Sequence, residues 1–284
     1  MKKVGMVLEG GSMRGMFTAG VLDVLMENNI EIDGIIGTSA GALIGVNYFS
    51  KQVGRVIRYN KKYCNDKRYI SLSSLAKTGN IVNKEFTFYK VTKELDPFDN
   101  DAFIKSGKDF YATATDIESG KTEYFKINNV IEQLEEFRAS SAMPFASEII
   151  EINNKKYLDG GITDSIPLDK CLDLGYDKIV VILTQPLDYK KEPLDRKTEQ
   201  LLKVKFRKYP NLIDAMLNRY KIYNDTIEKI KKMEENKEIF VIRPSCKLDI
   251  TIVNNTPRKI QQIYDFGVEA GQKNLEPLIE YLNK

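Results

Sequence analysis

Histidine is absent from this chain. The usual general base of a serine hydrolase is therefore missing, and with it every Ser-His triad. Cysteine is scarce: Cys64, Cys171 and Cys246 are odd in number and far apart. That spacing supports neither a disulfide framework nor a zinc cluster, so the three read as reduced thiols of a cytoplasmic protein. Transition-metal chemistry would have to rest on carboxylates alone, and no metal or other cofactor is expected. No apolar run approaches the roughly 18 residues that a spanning helix needs. The opening MKKVGMVLEGG carries two lysines but too short an apolar stretch for a signal peptide, so none is expected. Internal repeats and low-complexity tracts are lacking too.

The 284 residues are enough for one large domain or a domain with an elaboration, and 42% hydrophobic with 29% charged residues suits a globular chain that buries a core. The net charge of +3 is mild but uneven: thirteen Lys/Arg face nine Asp/Glu between Asp188 and Glu235. The plainer reading of that segment is a solvated helical face. The sharper one is a peripheral contact with an anionic membrane surface, on the inner face for a cytoplasmic protein. No nucleic-acid partner is expected, and the oligomeric state is left open.

The apolar run Val4 to Leu8 reads as a buried strand, and Gly15 to Glu27 as a helix packed on a sheet. Asp33 to Ile36 forms the next strand and Ala40 to Ser50 the next helix. Strand, helix, strand, helix points to a parallel sheet with helical cover. Further on, 109–117 and 122–125 read as strands and 130–142 as a helix. The stretches 148–152 and 155–158 flank Asn153-Asn154 as a hairpin, and 178–183 is a β-branched buried strand. Beyond Pro186 the composition turns to lysine-rich helix up to about Asn236. A last strand at 239–243 and a last helix at 258–282 follow. The expected organisation is a catalytic domain over 1–185 and a helical elaboration over 186–284 packed on it.

Chemistry concentrates at the strand ends. Gly37-Thr38-Ser39-Ala40-Gly41 fits G-x-S-x-G, a sharp strand-to-helix turn that raises a serine hydroxyl. Its two glycines let the flanking backbones approach closely. Either Ser39 is no nucleophile, or a group other than histidine takes its proton. Glu9-Gly10-Gly11-Ser12-Met13-Arg14-Gly15 forms a second glycine-rich turn between strand and helix. It lacks the lysine of a P-loop and the middle glycine of a dinucleotide fingerprint. An oxyanion hole on the strand next to the serine turn accounts for it better. A base must then be a carboxylate at a strand end. Asp159, followed by Gly160 and Gly161, stands out against Asp116, Asp164 and Asp169.

Gly10 to Gly15, Gly37 to Gly41 and Asp159-Gly160-Gly161, in that order, resemble the three motifs of the patatin-like phospholipases, most like the bacterial members. Arg138 to Pro144 and Ile162 to Pro167 resemble that family too, and the likeness runs from about Val4 to Leu183. It implies a three-layer α/β/α sandwich with a mostly parallel central sheet, carrying a helical C-terminal elaboration. The implied activity is lipid acyl hydrolysis by a Ser–Asp dyad without a metal, on a phospholipase A or lysophospholipase pattern. Ser39 would be the nucleophile and Asp159 the base. The N–H groups of Gly10 to Met13 would form the oxyanion hole, with Arg14 supporting the loop and Gly15 closing it. Gly37, Gly41, Gly160 and Gly161 would support the two turns. One departure stands out: Ser12 replaces a usual glycine, and a positive φ there would strain the loop. Met16, Phe17, Met143 and Phe145 are candidates for an acyl pocket, though core packing suits each of them as well. Two other functions stay open: a non-catalytic lipid- or membrane-surface protein on the same fold, and a nucleotide-binding module using the Gly10 loop.

Overall fold

The computed structural model describes residues 2–284; Met1 lies outside the described residues. Five strands form a parallel core: β1 (Val4–Leu8), β2 (Gly34–Thr38), β3 (Asp109–Asp116), β7 (Lys178–Ile182) and β8 (Phe240–Ile242), in the order β3-β2-β1-β7-β8. Three antiparallel strands extend it on the β3 side: β4 (Lys121–Lys126), β5 (Ile150–Ile152) and β6 (Lys155–Asp159). The parallel strands are buried on both faces, which is why they read in the sequence as unbroken apolar runs.

Alternation along the strands sorts the core into two layers. Met6, Leu8, Ile35, Val180 and Ile182 face one way, beneath α1 (Gly15–Glu27), α2 (Ala40–Phe49) and α10 (Pro257–Asn283). Val7, Ile36, Val181 and Val241 face the other way, toward α7 (Leu168–Asp173) and α9 (Pro210–Glu235). The result is the expected three-layer α/β/α arrangement. A third apolar cluster joins β3 and β6 to α8 (Arg196–Lys205) and the start of α9, through Leu158, Phe206 and Met216.

The segment after residue 186 is built into the same body. Its β8 pairs with β7, and α10 lies along α1. A Cβ on Gly267 would collide with the Phe17 carbonyl, so these two helices meet backbone to backbone.

Two differences from expectation have local causes. The helix expected over 130–142 is α6 (Leu134–Ser140). The Asn129 side chain accepts the N–H groups of Ile131 and Glu132, and this turn holds the chain out of helix until Leu134. Residues 51–108, where no elements were expected, contain α3 (Arg55–Tyr63), α4 (Leu72–Thr78), a π-type helix (Lys84–Leu95) and α5 (Asn100–Ser106). Among the described residues, no helix is long and apolar enough to cross a membrane.

Candidate active site

Sheet register brings two distant motifs together. β4 runs along one edge of β3 from Tyr111 to Asp116. The other edge is shared: β2 pairs with Asp109 to Thr113, and β6 with Ala114 to Asp116. β2 runs parallel to β3 and β6 antiparallel, so they advance toward each other in one lane. Their ends meet where Thr38 sits opposite Thr113 and Asp159 opposite Ala114. Ser39 is the next residue after β2, so the two motifs face each other across the gap.

Ser39 adopts φ 53° and ψ −119°, a strained conformation in the sharp turn from β2 into α2. A Cβ on Gly37 would lie 2.6 Å from the Ala42 nitrogen, and one on Gly41 would strike the Leu8 carbonyl. Both elbow glycines are therefore required by close backbone approach. The Ser39 hydroxyl donates to Asp159 Oδ2 at 2.8 Å. The Ser39 N–H donates to Ser140 Oγ at 2.9 Å, so the Arg138 to Pro144 stretch anchors the elbow. Buried Arg138 is itself held by Glu135 and Glu148.

Asp159 is fixed from every side. Its Oδ1 accepts the Gly161 N–H at 2.7 Å, its carbonyl accepts the Thr115 hydroxyl at 2.9 Å, and its N–H donates to the Ala142 carbonyl at 2.9 Å. The residue is only 7% exposed. Burial pushes its carboxyl above the ordinary aspartate range, against the opposing pull of the Ser39 hydroxyl, the Arg219 charge and the Gly161 N–H. The three rival carboxylates have other partners. Asp116 caps the turn at Glu118 and Ser119, Asp164 accepts from Tyr124, and Asp169 pairs with Lys229.

The Gly10 loop lies beside the serine, with Gly10 packed against Thr38 and Ser39. The loop's expected donors need one correction. The Gly10 N–H already donates to the Ser165 carbonyl at 3.1 Å, so it is not free to meet a developing oxyanion. The N–H groups of Arg14 and Gly15 are likewise turned back onto the loop, to Gly11 and to Ser12 and Met13. Among the described residues, the N–H groups of Gly11, Ser12 and Met13 have no hydrogen-bond partner. Ser12 has φ 51°, the left-handed conformation in which serine in place of glycine strains the loop. Arg14 lines the cavity rather than bracing the loop through side-chain hydrogen bonds, and its Nε is buried without a partner.

Ser39 stands at the junction of two spaces. The more polar one, a cavity of ≈ 320 Å³, is lined by the charged Asp159, Glu9, Arg14, Lys191 and Arg219 among apolar side chains. An apolar cavity of ≈ 100 Å³ lies on the other side, walled by Met13, Met16, Leu43, Ile44 and Phe88. It shares Leu43, Tyr59, Tyr69, Thr87 and Phe88 with a second apolar space of ≈ 90 Å³ reaching Val91 and Phe137. Ser12, Ser39 and Met143 border both the polar and the first apolar space. Of the expected acyl-pocket residues, Met16 and Met143 line the apolar cavity, Phe145 lines the polar one, and Phe17 is buried in the core.

Several site residues escaped the sequence reading. Ser140 lay within a noted stretch but had no assigned role. Glu9 is 1% exposed at the end of β1. Its carboxyl accepts the Thr184 N–H at 2.6 Å and the Tyr223 hydroxyl at 2.9 Å, and burial raises its pKa. An acid closing an apolar strand was the available signal for Glu9. Lys191, Arg219 and Tyr223 carried none, because tertiary packing alone brings them here.

Comparison with known proteins adds independent findings. A family model described as patatin-like phospholipase matches residues 6–172, and one described as a domain of unknown function (DUF6363) matches residues 209–283. The uncharacterized protein YjjU of Escherichia coli (strain K12) is 27% identical over 277 residues, covering 95% of this chain and 76% of that protein. Lysophospholipase NTE1 of Candida glabrata is 25% identical, covering 98% of this chain but 16% of that protein. The lysophospholipase NTE1 of Saccharomyces cerevisiae is 23% identical, covering 98% of this chain and 17% of that protein. This chain thus spans less than a fifth of the length of those fungal proteins. VipD from Legionella pneumophila, a solved structure, is 13% identical with a TM-score of 0.48, over 97% of this chain and 67% of that chain.

Proposed function

This chain belongs to the patatin-like phospholipase family, and on that premise we propose that it hydrolyses lipid acyl esters through a Ser39–Asp159 dyad, in the manner of a lysophospholipase or phospholipase A. The observation that carries this reading is the 2.8 Å hydrogen bond from the Ser39 hydroxyl to Asp159 Oδ2, placed where an apolar and a polar cavity join. An amphiphile fits such a junction, with its acyl chain on one side of the scissile carbonyl and its headgroup on the other. The fungal relatives named lysophospholipases support the same substrate class.

In this mechanism Ser39 Oγ attacks the ester carbonyl and its proton passes to Asp159 Oδ2. The charge on the carbonyl oxygen is received by the N–H groups of Gly11, Ser12 and Met13. Donors fixed in advance, away from bulk water, stabilise that charge most effectively. Collapse of the tetrahedral intermediate expels the alcohol, which takes the proton from Asp159. Water then enters, gives its proton to the Asp159 carboxylate and attacks the acyl-enzyme. A second collapse returns the proton to Ser39 and frees the fatty acid. Dyad and loop supply nucleophile, base and oxyanion donors, so the scheme requires no metal. A carboxylate whose pKa burial has raised is a better base than an ordinary aspartate.

A second reading rests on Ser12. Its left-handed backbone, in a loop where glycine is usual, favours a catalytically silent lipid-binding protein on this fold. A fluorophosphonate probe separates the two. Labelling of the wild type that vanishes in Ser39→Ala, with ester turnover lost in Ser39→Ala and Asp159→Asn, is the outcome expected of the hydrolase. Folded wild-type protein that takes no label would favour the binder. The pH profile gives a further check. Turnover needs the Asp159 carboxylate, whose pKa is raised, so kcat/KM should fall with falling pH through a limb above the ordinary aspartate range and level off above that limb.

A further inference from the structure

Three cations line the cavity that holds Ser39, and among the described residues none has a carboxylate partner within salt-bridge distance: Arg14, Lys191 and Arg219. Arg14 and Arg219 are half-buried, whereas the two buried arginines are paired, Arg55 with Asp96 and Arg138 with Glu135 and Glu148. In the cavity, the Nε atoms of both Arg14 and Arg219 are buried with no hydrogen-bond partner at all. A buried donor left unsatisfied is costly, and more so when it is charged. Such groups call for an anion from outside the chain.

The two carboxylates in the cavity offset part of this charge from a distance but pair with none of the three cations. Glu9 is engaged by the Thr184 N–H and the Tyr223 hydroxyl, and Asp159 by Ser39 and Gly161. The cations are also held in place. Both backbone groups of Lys191 bond the Asn224 side chain, at 2.9 and 3.0 Å, and its ammonium lies 4.4 Å from the centre of the Tyr223 ring. The Arg219 guanidinium lies over Gly161, where an added Cβ would be 3.3 Å from Nη2. Since the Gly161 N–H holds Asp159, this places the guanidinium beside the dyad. Burial, then the neighbouring Arg219 charge, lowers the Lys191 pKa to about 8, which leaves the side chain mostly cationic at neutral pH. Two planar guanidinium forks and one ammonium point charge suit the several oxygens of a phosphate.

We propose that Arg14, Lys191 and Arg219 form a phosphate subsite beside the nucleophile, selecting esters whose leaving group carries a phosphate over uncharged ones. The proposal rests on the hydrolase reading above and goes beyond it. Lys191 and Arg219 lie outside the matched patatin-like region, and Arg219 lies within the domain of unknown function. That domain would then supply headgroup selectivity to a site whose reacting groups come from the other part of the chain.

The test has a kinetic and a binding arm on the full chain, with wild type, Lys191→Met and Arg219→Gln compared at matched thermal stability. In the first arm, kcat/KM is measured for a 1-acylglycerol 3-phosphate and for the monoacylglycerol of the same chain length. The ratio should favour the phosphate ester by at least about tenfold in wild type and fall by about tenfold in each variant, as loss of one charged contact implies. In the second arm, calorimetry follows glycerol 3-phosphate and inorganic phosphate, and both should bind wild type about tenfold more tightly than either variant. An equal ratio in all three proteins, with no phosphate binding to wild type, overturns the subsite. Phosphate binding that the variants lose, with a flat ester ratio, assigns the subsite to free phosphate and overturns the headgroup selectivity. If neither ester is cleaved, the hydrolase reading fails instead. Calorimetry then decides the subsite alone: binding lost in the variants supports it, and no binding to wild type overturns it.

Discussion

Ser12 and Ser39 both hold backbone conformations that side chains disfavour, and they differ in what justifies the strain. Ser39 at φ 53° gains a hydroxyl aimed at Asp159. Ser12 at φ 51° makes no side-chain hydrogen bond among the described residues, so nothing local offsets its strain. Left-handed backbone costs an L-residue roughly 1–2 kcal/mol, while glycine loses about 0.5–1 kcal/mol more conformational entropy on folding. Relief of strain therefore outweighs entropy slightly. Ser12→Gly should leave stability unchanged or raise it by about 1 kcal/mol, with turnover kept. Ser12→Val, β-branched, should cost about 1–3 kcal/mol and lower turnover by displacing the neighbouring N–H donors. Urea denaturation and ester assays on both variants would show this, and a destabilised Ser12→Gly would contradict it. The positive φ of Ser12 entered the sequence reading only as a condition, raised because the family resemblance places glycine there. Ser39 and Asp159 were legible because glycines mark their turns. Arg219 and Lys191 sit in a lysine-rich stretch of ordinary composition, where nothing distinguishes a cation that faces the cavity from one that faces water.

At the scale of elements, the dyad depends on strand ends more than on the residues themselves. The lane shared by β2 and β6 along β3 fixes the gap between Ser39 and Asp159. Gly160 sits at its narrowest point, where an added Cβ would strike the Thr113 carbonyl. Gly160→Ala must therefore push the end of β6 away from β3 and carry Asp159 with it. The expected loss of stability is about 1–3 kcal/mol, typical of overpacking. Turnover should fall about 10²-fold, since an ångström of misplacement at a reacting group can cost that much. A variant with the stability loss but full kcat would mean that the lane does not set the dyad. The strands were legible from the sequence, because burial on both faces leaves apolar runs that solvent-facing elements lack. Residues 51–108 were not legible, for the opposite reason. In α3 the buried face keeps helical spacing but includes the polar Arg55 and Asn60, so apolar residues alone mark it poorly, and the π-type helix interrupts any 3.6-residue pattern. That unread region supplies Tyr59, Tyr69, Thr87 and Phe88 to the apolar cavity, so the apolar side of the site was largely hidden while the Ser39 and Asp159 side was not.

At the scale of the whole molecule, the boundary expected near residue 185 divides a continuous core. β8 extends the sheet from β7, α9 carries Tyr223 to Glu9 and Arg219 to the cavity, and α10 covers α1. α10 buries Ile260, Ile263, Leu278 and Tyr281. At about 1.5–3 kcal/mol per buried side chain, these four contribute about 6–12 kcal/mol. That is comparable with the whole net stability of a domain, about 5–15 kcal/mol. Removing residues 257–284 should therefore leave a chain that does not hold its native fold, rather than a smaller active enzyme. A milder lesion tests the same coupling in a protein that still folds. In Gly267→Val the new side chain meets the Phe17 carbonyl, so α10 and α1 must part. α1 follows directly on the Gly10 loop, whose N–H groups are the proposed oxyanion donors. The variant should lose about 1–3 kcal/mol of stability, and its turnover should fall although the substitution lies far from Ser39 in the chain. Unfolding followed by circular dichroism and by loss of probe labelling at Ser39 should occur in one coincident transition, as a single cooperative body requires. Separate transitions, or an active protein ending at residue 256, would mean that the C-terminal helix is an appendage and that the site is complete without it.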